Sequence, residues 1–256
     1  MHVVVTGASG GIGAALAEAF AARGCDVGLI ARRGAELEQV AERARTRGVR
    51  AACAVADVTD AAATASAVRT LVEALGPVDR MVANAGIGTL TAATRFDAAK
   101  ATEVMRVNFD GVVHAFAAVL PSMLERRSGG LAAVSSIAGW RALPGQAAYC
   151  ASKAAVSMLL DAFRIDLAPY GIHVTSVHPG FVDTPMLANA KHPTPFRQTP
   201  AAAADRIAHG VLSGRRRVDF PFPLVAIAAA GSALPGMVWD SVLGRLAPVP
   251  PPRSGG

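Results

Sequence analysis

Aromatic side chains are scarce in this 256-residue chain, with two tryptophans, two tyrosines and nine phenylalanines. Formal charge is +6, but the 25 Lys+Arg residues, only three of them lysine, are scattered along the sequence. Dispersed cations with few aromatics exclude a nucleic-acid surface, which needs clustered charge and stacking platforms. The one basic run, Arg215-Arg216-Arg217, reads as a solvated turn. Cysteine is limited to Cys25, Cys53 and Cys150, an odd number with no pair at metal-ligand spacing. That excludes a disulfide framework and a thiolate metal site, and it points to free thiols in a reducing compartment. Cys25 and Cys53 read as small buried hydrophobes, and Cys150 is assigned no chemistry. A strand-like run begins by residue 2, which leaves no room for a secretory n-region and apolar core. The expectation is a cytoplasmic protein.

What the chain does have is alternation. Short β-branched apolar runs at 2–6, 25–31, 49–56, 78–84, 130–136 and 172–178 are separated by longer amphipathic stretches. Such alternation predicts βαβ units and a parallel sheet. The expected fold class is α/β, a doubly wound Rossmann-type parallel sheet with helices on both faces, in a single domain. Leu16, Ala19, Phe20 and Arg23 trace a helical period that Gly24 can stop, and Asp60 can cap a helix ending near Leu75. Residues 1–220 are expected to form one domain, 221–247 an apolar extension packed on it, and the Pro/Gly-rich 248–256 a disordered tail.

Directly after the first strand comes "GASGGIG", residues 7–13, which opens a helix. Glycines at 7, 11 and 13 let a pyrophosphate approach the helix N-terminus, where free N–H groups and the macrodipole favour negative charge. Ser9 and Ile12 of the same turn join the expected cofactor contacts. At the end of the second strand, where a carboxylate would hold a ribose 2′-hydroxyl, the sequence reads Arg32-Arg33. Guanidinium groups grip a 2′-phosphate through charge-assisted hydrogen bonds. NADP is therefore preferred, with NAD still compatible.

With these residues in view the chain resembles the classical short-chain dehydrogenase/reductase family, in order, from residue 2 to about residue 187. Thr6, Gly7, Gly11 and Gly13 match its glycine pattern, Asp57-Val58 its adenine-contacting pair, and Asn84-Ala85-Gly86 its turn after the fourth strand. Asn108, Ser136, Tyr149 and Lys153 match its four catalytic positions. Pro179, Gly180, Val182 and Thr184 match the segment that holds the nicotinamide carboxamide. Gly10 stands where NADP-using members often carry a basic residue, so the phosphate is expected to rest mainly on Arg32, with Arg33 in support. His178 reads as a strand-end histidine without a catalytic role.

Residues i and i+4 share a helix face, so Lys153 can stand beside Tyr149 while both face the cofactor crevice. A free phenol titrates near pH 10, and a fixed cation beside it is expected to lower that value. In reduction, hydride passes from the nicotinamide to a carbonyl carbon while Tyr149 protonates the oxygen, and Ser136 donates a hydrogen bond to it. By the resemblance, Asn108 holds a water that relays protons to Lys153. No metal is required.

The stretch 187–200 suits a mobile lid, and residues 220–239 carry no charge across twenty positions. Three prolines and two glycines there argue against a spanning helix and for an apolar flap or helical pair, over a lipophilic substrate pocket or at a subunit interface. Shallow contact with a membrane surface stays open. The expected activity is an NADP-dependent oxidoreductase acting on a carbonyl or secondary alcohol of a small, hydrophobic molecule, in a homodimer or homotetramer. The competing readings are a non-catalytic NADP-binding regulatory protein and a membrane-associated scaffold.

Overall fold

The computed structural model describes residues 1–187 and 194–246. The six predicted strands form as β1 (His2–Thr6), β2 (Asp26–Ala31), β3 (Ala51–Val55), β4 (Arg80–Ala83), β5 (Gly129–Val134) and β6 (Ile172–Pro179). A seventh, β7 (Arg217–Phe220), starts inside the arginine run that had been expected to be a turn. All seven pair in parallel in the order β3-β2-β1-β4-β5-β6-β7. Every residue of β1 and β5 is buried, as both faces of a covered parallel sheet require.

Helices α1 (Gly11–Ala21), α2 (Gly34–Arg45) and α8 (Pro200–Leu212) cover one face, where Leu16, Phe20, Leu37, Val40 and Ile207 pack on Val3, Val5 and Leu29. On the other face lie α3 (Ala61–Leu75), α5 (Gly111–Ala117) and α7 (Ala147–Leu167), with Leu71, Phe116, Val156 and Leu160 against Val4, Ile30, Met81 and Leu131. Asp60 caps α3 as its spacing predicts, its side chain accepting from the Ala63 amide at 2.9 Å. Helices α4 (Ala98–Met105) and α6 (Leu120–Arg126) complete this layer.

Between α4 and α5 the chain takes one π-helical turn, Arg106–Asp110. The helical run from Ala98 to Arg126 is long and apolar enough to cross a membrane by length and composition. Its Val104, Val112, Ala115 and Phe116 are buried within the protein instead, which makes it a core helix. Strand order reverses between β1 and β4, and such a reversal opens a crevice at the carboxyl ends of the strands. After β7, α9 (Phe222–Ala233) and α10 (Gly236–Leu246) pack at the side of that crevice. The lid segment falls partly on 188–193, and that part, like the whole 248–256 tail, lies outside the described residues.

Candidate active site

The glycine turn is built by close approach. Gly7 takes φ +66°, a left-handed conformation that favours glycine, and a β-carbon on Gly13 would stand 2.2 Å from the Gly7 carbonyl oxygen. Thr6 ties this turn to the next strand: its hydroxyl accepts from the amides of Asn84 (3.0 Å) and Ala85 (3.2 Å), and Asn84 Nδ2 donates to the Thr6 carbonyl at 3.0 Å. Thr184 arrives from beyond β6, its methyl group beside Gly11. The cleft so enclosed has a volume of about 390 Å³ and is lined by Gly7, Ser9, Gly11, Ile12, Arg32, Arg33, Asp57, Val58, Asn84, Ala85 and Gly86 at one end. Ser136, Tyr149, Lys153, Pro179, Gly180, Val182 and Thr184 line the other.

The two arginines part company. Arg32 is largely exposed and pairs with Asp57 at 3.6 Å. Arg33 instead folds over the glycine turn, donating from Nη2 to the Ser9 hydroxyl at 3.1 Å and to the Ser9 carbonyl at 3.2 Å. Asp57 accepts from the Thr59 amide and hydroxyl, and these bonds, with Arg32 nearby, hold its carboxyl below the ordinary value.

At the other end, α7 brings Tyr149 and Lys153 one turn apart. The helix has no side-chain cap of its own, and Thr91 from a distant loop accepts from the Ala148 amide at 2.9 Å. Lys153 Nζ lies 5.7 Å from the Tyr149 ring centroid and donates to the Val134 carbonyl at 2.8 Å. Asn108, fully buried, is fixed by three hydrogen bonds: its Oδ1 accepts from the Ile87 amide (2.8 Å), and Nδ2 donates to the Ile87 carbonyl and the Ser152 hydroxyl (3.0 Å each). A β-carbon on Gly86 would stand 3.2 Å from Asn108 Oδ1 and 3.5 Å from Lys153 Nζ, so the two side chains border one space. Ser136 faces the same cleft as Tyr149, its hydroxyl accepting from the Ala138 amide at 3.1 Å and donating to the Pro179 carbonyl at 3.4 Å.

The titration of this group departs from the expectation drawn from spacing alone. Burial pushes the Tyr149 phenol above its ordinary value, and the nearby Ser136 hydroxyl offsets only part of that rise. Burial also lowers the Lys153 amine, from 10.5 to about 8, and one of its N–H groups donates to the Val134 carbonyl. The phenol is held protonated across neutral pH.

A sequence profile described as short chain dehydrogenase matches residues 1–194. The chain belongs to the short-chain dehydrogenase/reductase family. It is a nicotinamide-dependent oxidoreductase with a small-molecule substrate, and an uncharacterised oxidoreductase of Myxococcus xanthus (strain DK1622) is 37% identical to it, over 95% of this chain and 96% of that protein. Among solved structures it resembles an actinorhodin polyketide ketoreductase with NADPH (TM-score 0.77, 28% identity, 84% of this chain and 93% of that one). A 3-oxoacyl-[acyl-carrier protein] reductase from Brucella melitensis with bound NAD is equally similar (TM-score 0.76, 30% identity, 85% and 88%).

Within this short-chain dehydrogenase, some groups in and around the cleft carried no signal in the sequence. The Ile87 backbone and the Val134 carbonyl fix Asn108 and Lys153 yet have no side-chain identity to read. His178 sits at the end of β6, as read from the sequence, and is buried: Nδ1 meets Asp219 Oδ1 at 2.7 Å and Nε2 meets Ser157 Oγ at 3.1 Å. Ser157 in turn donates to the Lys153 carbonyl at 2.9 Å. All three cysteines are free, and burial pushes each thiol up, Cys53 to about 12, so none is poised as a thiolate.

Proposed function

We propose that this enzyme uses NADP to reduce a carbonyl, or to oxidise the matching secondary alcohol, on a hydrophobic molecule. The observation that carries the reading is the juxtaposition of Tyr149, Lys153 and Ser136 inside one cleft whose far end is a glycine turn. The tight Gly7–Gly13 approach packs the turn against Asn84 and Ala85, and Gly10, Gly11 and Ile12 at the start of α1 line the cleft, so the residues fit a dinucleotide with its pyrophosphate at that helix start. When bound, the cofactor supplies or accepts hydride.

The chain's own residues handle the proton. Tyr149 donates from its phenol oxygen to the substrate oxygen, and Ser136 steadies the same oxygen by a hydrogen bond as charge develops there. Lys153, anchored by Val134, orients the cofactor ribose and re-protonates the phenol, and Asn108 holds the water that links Lys153 to solvent. Arg33 with Ser9 takes the 2′-phosphate, Arg32 flanks it, and Asp57-Val58 receives the adenine. Asn84, Ala85 and Gly86 support the ribose, while Pro179, Gly180, Val182 and Thr184 hold the carboxamide. Met186, exposed on the cleft wall, and the neighbouring Leu187 support an apolar substrate. Residues 1–220 with the lid at 187–200 act as the catalytic domain, and 221–247 covers its flank.

Apolar Val113 on α5 and Met158 and Ile165 on α7 stand in solvent, which supports assembly into a homodimer or homotetramer through those helices. The free thiols support residence in the cytoplasm. An absorbance screen of NADPH consumption against apolar ketones and aldehydes tests the reading, and consumption no faster than that of Tyr149→Phe on every substrate would sink it. Because Arg33 rather than Arg32 reaches the glycine turn, Arg33→Ala is expected to weaken NADPH binding roughly tenfold or more, with NADH nearly unchanged. Fluorescence titration with both cofactors checks this, and equal losses for NADH and NADPH would remove the phosphate assignment.

A further inference from the structure

The pair α9 and α10 leaves its apolar side chains outside. Leu224 packs against Gly180, Trp239 against Gly231, and Trp239 Nε1 donates to the Ala142 carbonyl at 3.0 Å. Away from those contacts, Phe222 is 81% exposed, Ile227 59% and Met237 83%, with Leu234, Val238 and Val242 more than two-fifths exposed. Pro223, Ile227, Ala230 and Leu234 recur at i, i+4, i+7 and i+11, so the exposure forms one stripe along α9. Single exposed apolar residues need no explanation, whereas a contiguous stripe marks a contact surface.

The charge around the stripe is mostly basic. Ser232, near the end of α9, donates to the Trp140 carbonyl, and the Arg217 guanidinium sits over the Trp140 ring at 4.8 Å. Arg217 therefore lies near the last turn of α9, and the exposed Arg215 and Arg216 precede it in the chain. Arg141 lies over the Trp239 ring at 5.6 Å and donates to the Leu234 carbonyl at 3.0 Å, and Arg245 stands exposed near the end of α10. Asp240 is the only acidic residue on either helix, and Asp219 before them is held by Arg217 and His178.

We propose that the α9–α10 face docks this protein on the surface of an anionic lipid bilayer. Apolar side chains would enter the acyl boundary while the arginines meet lipid phosphates. The twelve residues of α9 reach only about 18 Å, short of the roughly 30 Å hydrocarbon core, so the helix lies in the interface and does not cross it. A second copy is the weaker occupant, because a two-fold contact through this face would bring two arginine rims into one interface. The pair rests on residues 137–142, which lead from Ser136 toward Tyr149, and docking turns that segment toward the lipid. The proposal goes beyond the catalytic reading and does not need it.

Co-sedimentation with vesicles tests it without turnover. The full chain should pellet with equimolar phosphatidylglycerol and phosphatidylcholine, far less with phosphatidylcholine alone, and less as salt rises. Phe222→Ser/Ile227→Ser/Met237→Ser and, separately, Arg215→Ser/Arg216→Ser should each lower the bound fraction roughly tenfold, while NADPH fluorescence titration reports an intact fold. Absence of pelleting by the wild-type chain would overturn the proposal. So would equal pelleting by wild type and both variants, or a triple variant that loses dimer mass in lipid-free buffer while the wild type ignores vesicles.

Discussion

Tyr149→Phe is expected to lower kcat roughly 10²–10⁴-fold, the usual worth of a positioned proton donor, with NADPH affinity changed by less than about twofold. The substitution removes one oxygen and keeps the ring that lines the cleft beside Met186 and Gly88. Lys153 keeps its bond to Val134 and Asn108 keeps all three of its own, since none of these passes through the phenol. Only the proton delivered to the substrate oxygen is lost. Steady-state NADPH oxidation on any substrate found, set beside fluorescence titration of NADPH, separates the two quantities. A variant that turns over at the wild-type rate takes Tyr149 out of the mechanism, and one that loses cofactor binding in proportion makes the residue structural.

Lys153→Met should lose activity and yet unfold less readily at neutral pH. The amine is buried and its folded-state pKa is about 8, against 10.5 for the free group. Below pH 8 both folded and unfolded chains hold the proton, and the full penalty of burying a cation is present. Between pH 8 and 10.5 only the unfolded chain keeps it, so wild-type stability rises with pH across that window. A shift of this size corresponds to about 3 kcal/mol, from which the lost bond to the Val134 carbonyl subtracts about 2. The methionine variant should therefore be about 1 kcal/mol more stable at pH 7 and about 2 kcal/mol less stable near pH 10.5. Urea unfolding at several pH values reads the difference, and one that stays flat from pH 7 to 10.5 would refute the burial account.

Much of the scaffold could be read from the chain because each of its signals is local. The β1 run followed by glycines, the Asp60 cap and the six apolar strands are choices that neighbouring residues make together. β7 escaped because four residues with an arginine and an aspartate, followed by proline, carry little apolar pattern, and an edge strand tolerates that. Spacing could place Tyr149 and Lys153 on one helix face, but the direction of their titration depends on burial supplied by β5, the 137–146 segment and the far side of the cleft. Likewise, adjacency could not tell which of Arg32 and Arg33 turns its guanidinium toward Ser9, since that is settled by the start of α2. His178 looked idle because its two partners lie 21 and 41 residues away in sequence.

That histidine gives β7 a reach out of proportion to its size. A four-residue rim strand would ordinarily fray in isolation, its amides exchanging with solvent far sooner than the rest of the sheet. Here Asp219 is tied through an imidazole and a serine hydroxyl to the carbonyl of Lys153 itself. Peeling of the rim and slackening of the turn that bears the amine become a single event, and protection against deuterium uptake should rise and fall together at both places.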